Sequence, residues 1–301
     1  MGLIDRAIGK DTPVLEPAMF SDRIDPGQGQ PIDLDLDALH RGGFFTPGKP
    51  HGNQPFELRS IKRRLLRRLG MLQRSTGNQR TSRGAGRPRN LVLVTSTRPS
   101  EGKTFTAINL ALSFAYENKQ SVLLIDGDAP RPKLRKMLNL PEGPGLTDKL
   151  LTPKLGYDEC LYQVQDAPLQ IMSEGKSVGD ATALYSSTRA QAVFADIATR
   201  NPNRLVIVDA PPLLATTETV ALARHVDEVI FVVEADKTPE PSAAAALDEL
   251  LELNPNVSLV LNRCLVTAGG SHYEAYEHYD RPNEGTSGTG EKKADRARGL
   301  K

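Results

Sequence analysis

The chain has 301 residues, 39% hydrophobic and 25% charged, with 25 Gly and 22 Pro, which suits one α/β domain of about 150–200 residues with poorly ordered flanks better than two full domains. Its two cysteines, Cys160 and Cys264, are far apart and match no metal spacing, arguing against an iron–sulfur role and for a reducing compartment. No apolar stretch approaches the roughly 20 residues of a spanning helix and no cleavable signal is visible, so a cytoplasmic protein is expected.

The net charge of +1 hides a segregation. Residues 1–55 carry −3, and residues 56–90 carry +10, with eleven Lys/Arg against one Glu. A basic collar precedes a mildly acidic domain. Residues 1–55, rich in Pro, Gly and Asp, show no sustained period and read as largely disordered. Within them 3–8 and 32–40 are short enough to be docking segments or nothing.

Residues 56–73, FELRSIKRRLLRRLGMLQ, place apolar residues at 58, 61, 65, 69 and 72, the spacing of one helical face. Arg59, Lys62, Arg63, Arg67 and Arg68 form the other surfaces. Such a helix can pack on the following domain or a neighbouring subunit, bind an acidic membrane surface, or touch nucleic acid. Missing aromatic interleaving disfavours nucleic acid, and packing is the preferred reading. Residues 74–90 form a basic, glycine-containing linker.

The stretch LVLVTSTRPSEGKT over 91–104 organises everything beyond. An apolar strand feeds the turn Thr97, Arg98, Pro99, Ser100, Glu101, Gly102, and Lys103-Thr104 opens a helix over 103–118. Backbone N–H groups at such a turn and helix N-terminus make a nest for phosphate oxygens. Gly102 lets the backbone approach, Lys103 reaches the β- and γ-phosphates, and the Thr104 hydroxyl can ligate Mg²⁺. The strict motif wants Gly where Thr97 stands.

Residues 121–128, SVLLIDGD, read as a second buried strand, and 204–212, RLVIVDAPP, as another ended by Pro211 and Pro212. In a parallel sheet their C-termini share one edge, so Asp126, Asp128 and Asp209 converge on the ligand crevice. Carboxylates on apolar strands need a neutralising cation, and hydrated Mg²⁺ fits. Short helices over 134–140 and 146–151 and a strand over 169–173 follow. Further on come helices over 181–200, 216–224 and 242–253, with strands over 228–234 and 257–261. The alternation predicts a doubly wound, mostly parallel sheet with helices on both faces, a P-loop NTPase core over 91–268. Residues 269–301 form a polar, flexible tail that holds Tyr273, Tyr276 and Tyr279, a cluster better explained as phosphate acceptors than as packing.

RPSEGKTFTAINLALSFA, VLLIDGDAPRP, RLVIVDAPPLLATTETVALA, VIFVVEADKT and VLNRC, followed by the tyrosine tail, together resemble the bacterial tyrosine kinases of polysaccharide loci. The likeness is nearest to the soluble exosortase-associated autokinase type within the wider MinD/ParA-like superfamily, and it covers roughly residues 57–279. The resemblance implies ATP and Mg²⁺ as cofactors, held by the loop from Arg98 to Phe105. It makes Lys103 the Walker A lysine and Thr104 a metal-ligating hydroxyl. Asp126 becomes the base for the tyrosine hydroxyl, Asp128 a magnesium ligand, Asp209 the Walker B aspartate with catalytic and metal roles, and Asn262 an adenine-reading amide. It also implies autophosphorylation of Tyr273, Tyr276 and Tyr279, a membrane-embedded polysaccharide co-polymerase as activator, a cognate phosphatase, self-association, and a peripheral place at the cytoplasmic membrane through that partner.

Two departures stand out. Pro130 precedes Arg131 where the family has paired arginines before its proline. Phe56 stands where the family's oligomer motif, Glu-x-x-Arg-x-x-Arg, has its glutamate, with Arg59 and Lys62 at the later positions. The rival reading is a partitioning-type ATPase switch; those proteins carry a lysine at the position of Arg98, and the tyrosine tail argues against it.

Overall fold

The structure, a computed structural model, describes residues 29–52, 54–71, 87–179 and 181–264. The chain begins with strand β1 (Gln30–Ile32), helix α1 (Leu36–Arg41) and the longer α2 (Gln54–Arg68). The phosphate-loop unit follows as β2 (Leu91–Ser96) and α3 (Lys103–Glu117), then β3 (Val122–Asp126). Beyond it lie α4 (Leu134–Met137), α5 (Leu146–Leu151), α6 (Tyr157–Cys160), β4 (Tyr162–Val164) and β5 (Leu169–Met172). The remaining elements are α7 (Ala181–Tyr185), α8 (Thr188–Arg200), β6 (Leu205–Asp209), α9 (Glu218–Ala223), β7 (Glu228–Glu234), α10 (Glu240–Leu253) and β8 (Val257–Asn262).

Among the described residues the strands form one sheet in the order β1-β4-β5-β3-β6-β2-β7-β8. Every neighbouring pair is parallel except β4 with β5. The central strands are apolar along their whole length because both faces are covered. Val92, Val94, Leu124 and Ile207 point into a core shared with α2 and α3. Leu91, Leu93, Leu123 and Val208 point the other way, into a core shared with α8, α9 and α10. That is the doubly wound sheet expected from the alternation of strands and helices.

Three sequence expectations change. Residues 29–52 are not a disordered lead-in: β1 adds an edge strand beside β4, and Phe44 and Phe45 are buried in the α2–α3 core. No period shows in the sequence because each piece ends before its pattern can repeat twice, and tertiary contact rather than local pattern holds them. The helix over 181–200 is broken into α7 and α8, since the Ser187 hydroxyl caps α8 by accepting from the Ala190 N–H at 3.1 Å. Finally, α6 and β4 were not expected.

The basic helix does pack on the domain, as preferred. Leu58, Leu65, Leu66 and Leu69 are buried against it, and so is Lys62. Lys62 pairs with Glu117 and donates to the Asn118 side chain at 2.9 Å, clamping α2 to the end of α3. Lys62, set by resemblance at an oligomer-motif position, thus faces its own domain. Arg68 at the helix end meets the buried Glu228 of β7 at 2.5 Å.

Candidate active site

Parallel pairing sets Asp126 of β3 directly opposite Asp209 of β6, while β2 pairs on the other side of β6. Both carboxylates and the loop after β2 therefore meet at the carboxyl edge of the central strands, where ligands bind in such sheets. The segment after β6 continues alongside the loop: the Leu213 N–H donates to Ser96 O at 2.8 Å and the Leu214 N–H to Thr97 O at 3.2 Å.

The loop is tied down by its own side chains and by neighbours. Glu101, nearly buried, accepts from the Arg98 N–H at 2.9 Å and from the Thr238 hydroxyl at 2.6 Å. Ser100 and Gly102 lie in the left-handed region, at φ 71° and 102°. The Asn262 amide donates to Glu101 O at 2.9 Å, and a Cβ at Gly102 would collide with it. The left-handed backbone favours glycine there, and any Cβ would also displace the Asn262 amide from Glu101. Arg98 and Pro99 are exposed, and the Arg98 guanidinium donates to Ser242 of α10 at 3.0 Å, away from the crevice. Phe105, the third residue of α3, packs on Phe44 with ring centroids 5.0 Å apart.

Lys103, Thr104, Asp128 and Asp209 form one buried cluster. The Lys103 ammonium lies 2.7 Å from Asp128 and 3.3 Å from Asp209. The Thr104 hydroxyl donates to Asp209 at 2.6 Å. Burial draws the Lys103 pKa down, but Asp209 and then Asp128 outweigh it, so the ammonium is held above its ordinary value. Burial drives Asp209 up, against the pull of Lys103.

Asp126 is fully buried, and burial, with the Asp209 charge second, pushes it up to about 8. Its oxygens accept three backbone N–H bonds, from Asp128 at 3.1 Å and from Lys133 and Leu134 at 3.0 Å each. In this arrangement Asp126 shapes the loop between β3 and α4, with one of its four lone-pair positions left over.

Three carboxylates against one ammonium leave the cluster short of positive charge, a burden that buried groups relieve by protonation or by a cation. The donor set of one hydroxyl and two carboxylates consists of hard oxygens and suits Mg²⁺, which takes few protein ligands and the rest from phosphate and water. Among the described residues no group of three or more His, Cys, Asp or Glu side chains is arranged to cage a metal by itself.

The sequence reading overlooked two residues of this site. Thr238, four residues past the end of β7's Glu234, braces Glu101, and the buried Tyr185 donates to Gly127 O at 3.2 Å between the two aspartates. Thr238 sits just beyond an apolar strand end, the position that had drawn attention to the aspartates. Tyr185 carries no local signal, because it arrives from a separate helix. Tyr273, Tyr276 and Tyr279 lie outside the described residues.

Strand, phosphate loop, helix and two strand-end carboxylates beside the loop lysine define a P-loop nucleotide-dependent enzyme. No family model matches the chain. It is 25% identical over 186 residues to CapB of Staphylococcus aureus, spanning 62% of this chain and 80% of CapB. Against the tyrosine-protein kinase YwqD of Bacillus subtilis it is 31% identical over 159 residues, 53% of this chain and 65% of YwqD. Longer relatives are matched over only 20% to 26% of their length. The crystal structure of the VpsO kinase domain superposes with a TM-score of 0.54 at 31% identity, covering 59% of this chain and 86% of that one. The chain belongs to the bacterial tyrosine-protein kinases.

Proposed function

We propose that this protein transfers the γ-phosphoryl group of ATP to protein tyrosine, with its own Tyr273, Tyr276 and Tyr279 as acceptors. We further propose that it regulates exopolysaccharide biosynthesis or export under a membrane-embedded co-polymerase, with a phosphatase resetting it. The observation that carries the reading is the convergence of Lys103, Thr104, Asp128 and Asp209 beside a preshaped phosphate loop in a chain whose relatives are named tyrosine-protein kinases.

Phosphoryl transfer demands positioning and charge neutralisation more than covalent help. The loop from Arg98 to Phe105 binds the triphosphate, with backbone N–H groups from Ser100 onward as donors, and Lys103 leaves its carboxylates to neutralise the β- and γ-phosphates. Mg²⁺, held by Thr104, Asp128 and Asp209, would supply further charge neutralisation. Asp126 accepts the phenol proton at the one lone-pair position that its three backbone donors leave over. Asn262 reads adenine if its amide releases Glu101. The Arg98 side chain, turned toward Ser242, weakens the rival ATPase switch, whose signature cation occupies that position.

Transfer between molecules is the expected route for the tail. Lys103→Met protein is mixed with active protein in which the three tyrosines are Phe. Phosphate on the Lys103→Met chain supports transfer in trans, and its absence alongside active wild type leaves transfer in cis.

A further inference from the structure

One face of α2 is committed to the core, and arginine is the commonest residue among its exposed positions, which also hold Phe56, Glu57 and Ser60. Arg59, Arg63, Arg64 and Arg67 are exposed and none forms an ion pair among the described residues, whereas Arg68 is held by Glu228. At 3.6 residues per turn, Arg67 and Arg64 lie nearest the centre of the outward arc, with Arg63 beside them and Arg59 at its edge. Phe56 shares that arc at the first turn, 55% exposed, with the Arg59 guanidinium 5.6 Å from its ring centroid. The only carboxylate on the helix is Glu57.

The helix is also rigidly mounted. Lys62–Glu117 and Arg68–Glu228 fix it to α3 and β7, so the arginine row has a set direction. From Gln54, which bonds Asn109, to Lys62, which bonds Asn118, α2 runs alongside α3 away from the phosphate loop. A flat anionic surface can meet this row without closing the crevice.

We propose that the Phe56–Arg67 face of α2 binds directly to a membrane surface rich in anionic phospholipid. Four arginines unpaired on a fixed face supply the charge complementarity, and an exposed aromatic ring at the row's end supplies an apolar anchor at headgroup depth. A nucleic-acid groove is the poorer fit, because the face is convex and has a single aromatic side chain for stacking. Direct contact places the enzyme at the membrane without requiring a protein partner, and it does not depend on the tyrosine-kinase reading.

The test is co-sedimentation of the full chain with vesicles of phosphatidylcholine alone or with 30% phosphatidylglycerol. Binding is expected only with phosphatidylglycerol and should weaken as salt rises. Each arginine near such a surface is worth on the order of a fivefold change in partitioning. Arg63→Gln should therefore reduce binding about that much, and R59Q/R63Q/R64Q/R67Q should abolish it with an unchanged circular-dichroism melt. R74Q/R80Q/R83Q should keep most of the binding. The proposal fails if wild type ignores anionic vesicles, or if the linker triple variant, not the helix variant, loses them. It also fails if the helix variant instead changes duplex-DNA binding or oligomeric mass while vesicle binding persists.

Discussion

Lys103 is the cation that makes the buried carboxylates tolerable, so its loss should be felt in stability as well as in catalysis. With Asp209 wholly buried and Asp128 nearly so, Lys103→Met leaves uncompensated charge and should cost about 3–5 kcal/mol of unfolding free energy in EDTA. Urea unfolding reads this, and added Mg²⁺ should recover part of it; an unchanged midpoint would mean that the cluster is not charged as described. Asn262 offers a second residue-scale test, because its amide holds Glu101 in place. Asn262→Ala should weaken binding of both nucleotides several-fold through a loosened loop, and lower the ATP-over-GTP ratio by removing the amide proposed to read adenine. An equal loss for ATP and GTP would remove the base-reading role and leave only the brace on Glu101. The Lys, Thr and Asp positions were all legible in the sequence, since each sits at a strand end or helix start. The Asn262–Glu101 contact was not, because it joins residues 161 apart.

At the scale of elements, the strand and helix alternation was legible because central strands covered on both faces must be apolar throughout. The break between α7 and α8 was also written in Ser186-Ser187-Thr188, where short hydroxyl side chains compete with the helical backbone. The α2–α3 clamp was hidden, since Lys62 lies on a face otherwise read as basic surface. Its energetics are testable: Lys62→Met, which keeps the volume and removes the charge, should stay within about 1 kcal/mol of wild type. Glu117→Ala should cost about 3 kcal/mol by stranding the buried ammonium. Equal losses in both would point to packing alone. A pH test belongs to the turn between α9 and β7, where His225 donates to Tyr185 O at 2.7 Å and stacks on Phe194. Burial lowers its pKa, while the Tyr185 carbonyl opposes this and Arg87 and Arg224 add to it. The unfolded imidazole, with its pKa near 6.5, then takes up protons that the folded one refuses. Stability from this group is complete above about pH 6.5 and falls as pH drops toward the folded value. Urea midpoints measured from pH 7.5 to 5.5 should decline more for wild type than for His225→Gln; parallel profiles would exclude the effect.

For the molecule as a whole, the correction that matters is residues 29–52. Phe44 against Phe105, and the Phe45 N–H donating to Asn109 at 2.5 Å, tie this segment to the first turns of the phosphate-loop helix. Removing residues 1–52 should expose that apolar surface, lower the melting temperature by several degrees and weaken nucleotide binding; a truncated chain as stable as the full one would return the segment to the role of dispensable lead-in. The sequence held a faint sign of it in the paired phenylalanines after Gly42-Gly43, too short for any periodicity to register. The central claim concerns the chemistry at the sheet edge, and mass spectrometry of protein incubated with MgATP tests it most directly. Wild type, alone or with the membrane-embedded activator proposed for it, should gain phosphotyrosine at Tyr273, Tyr276 or Tyr279, and Lys103→Met should gain none. Sustained ATP turnover with no phosphotyrosine under either condition would contradict the kinase assignment and leave an ATPase switch in its place.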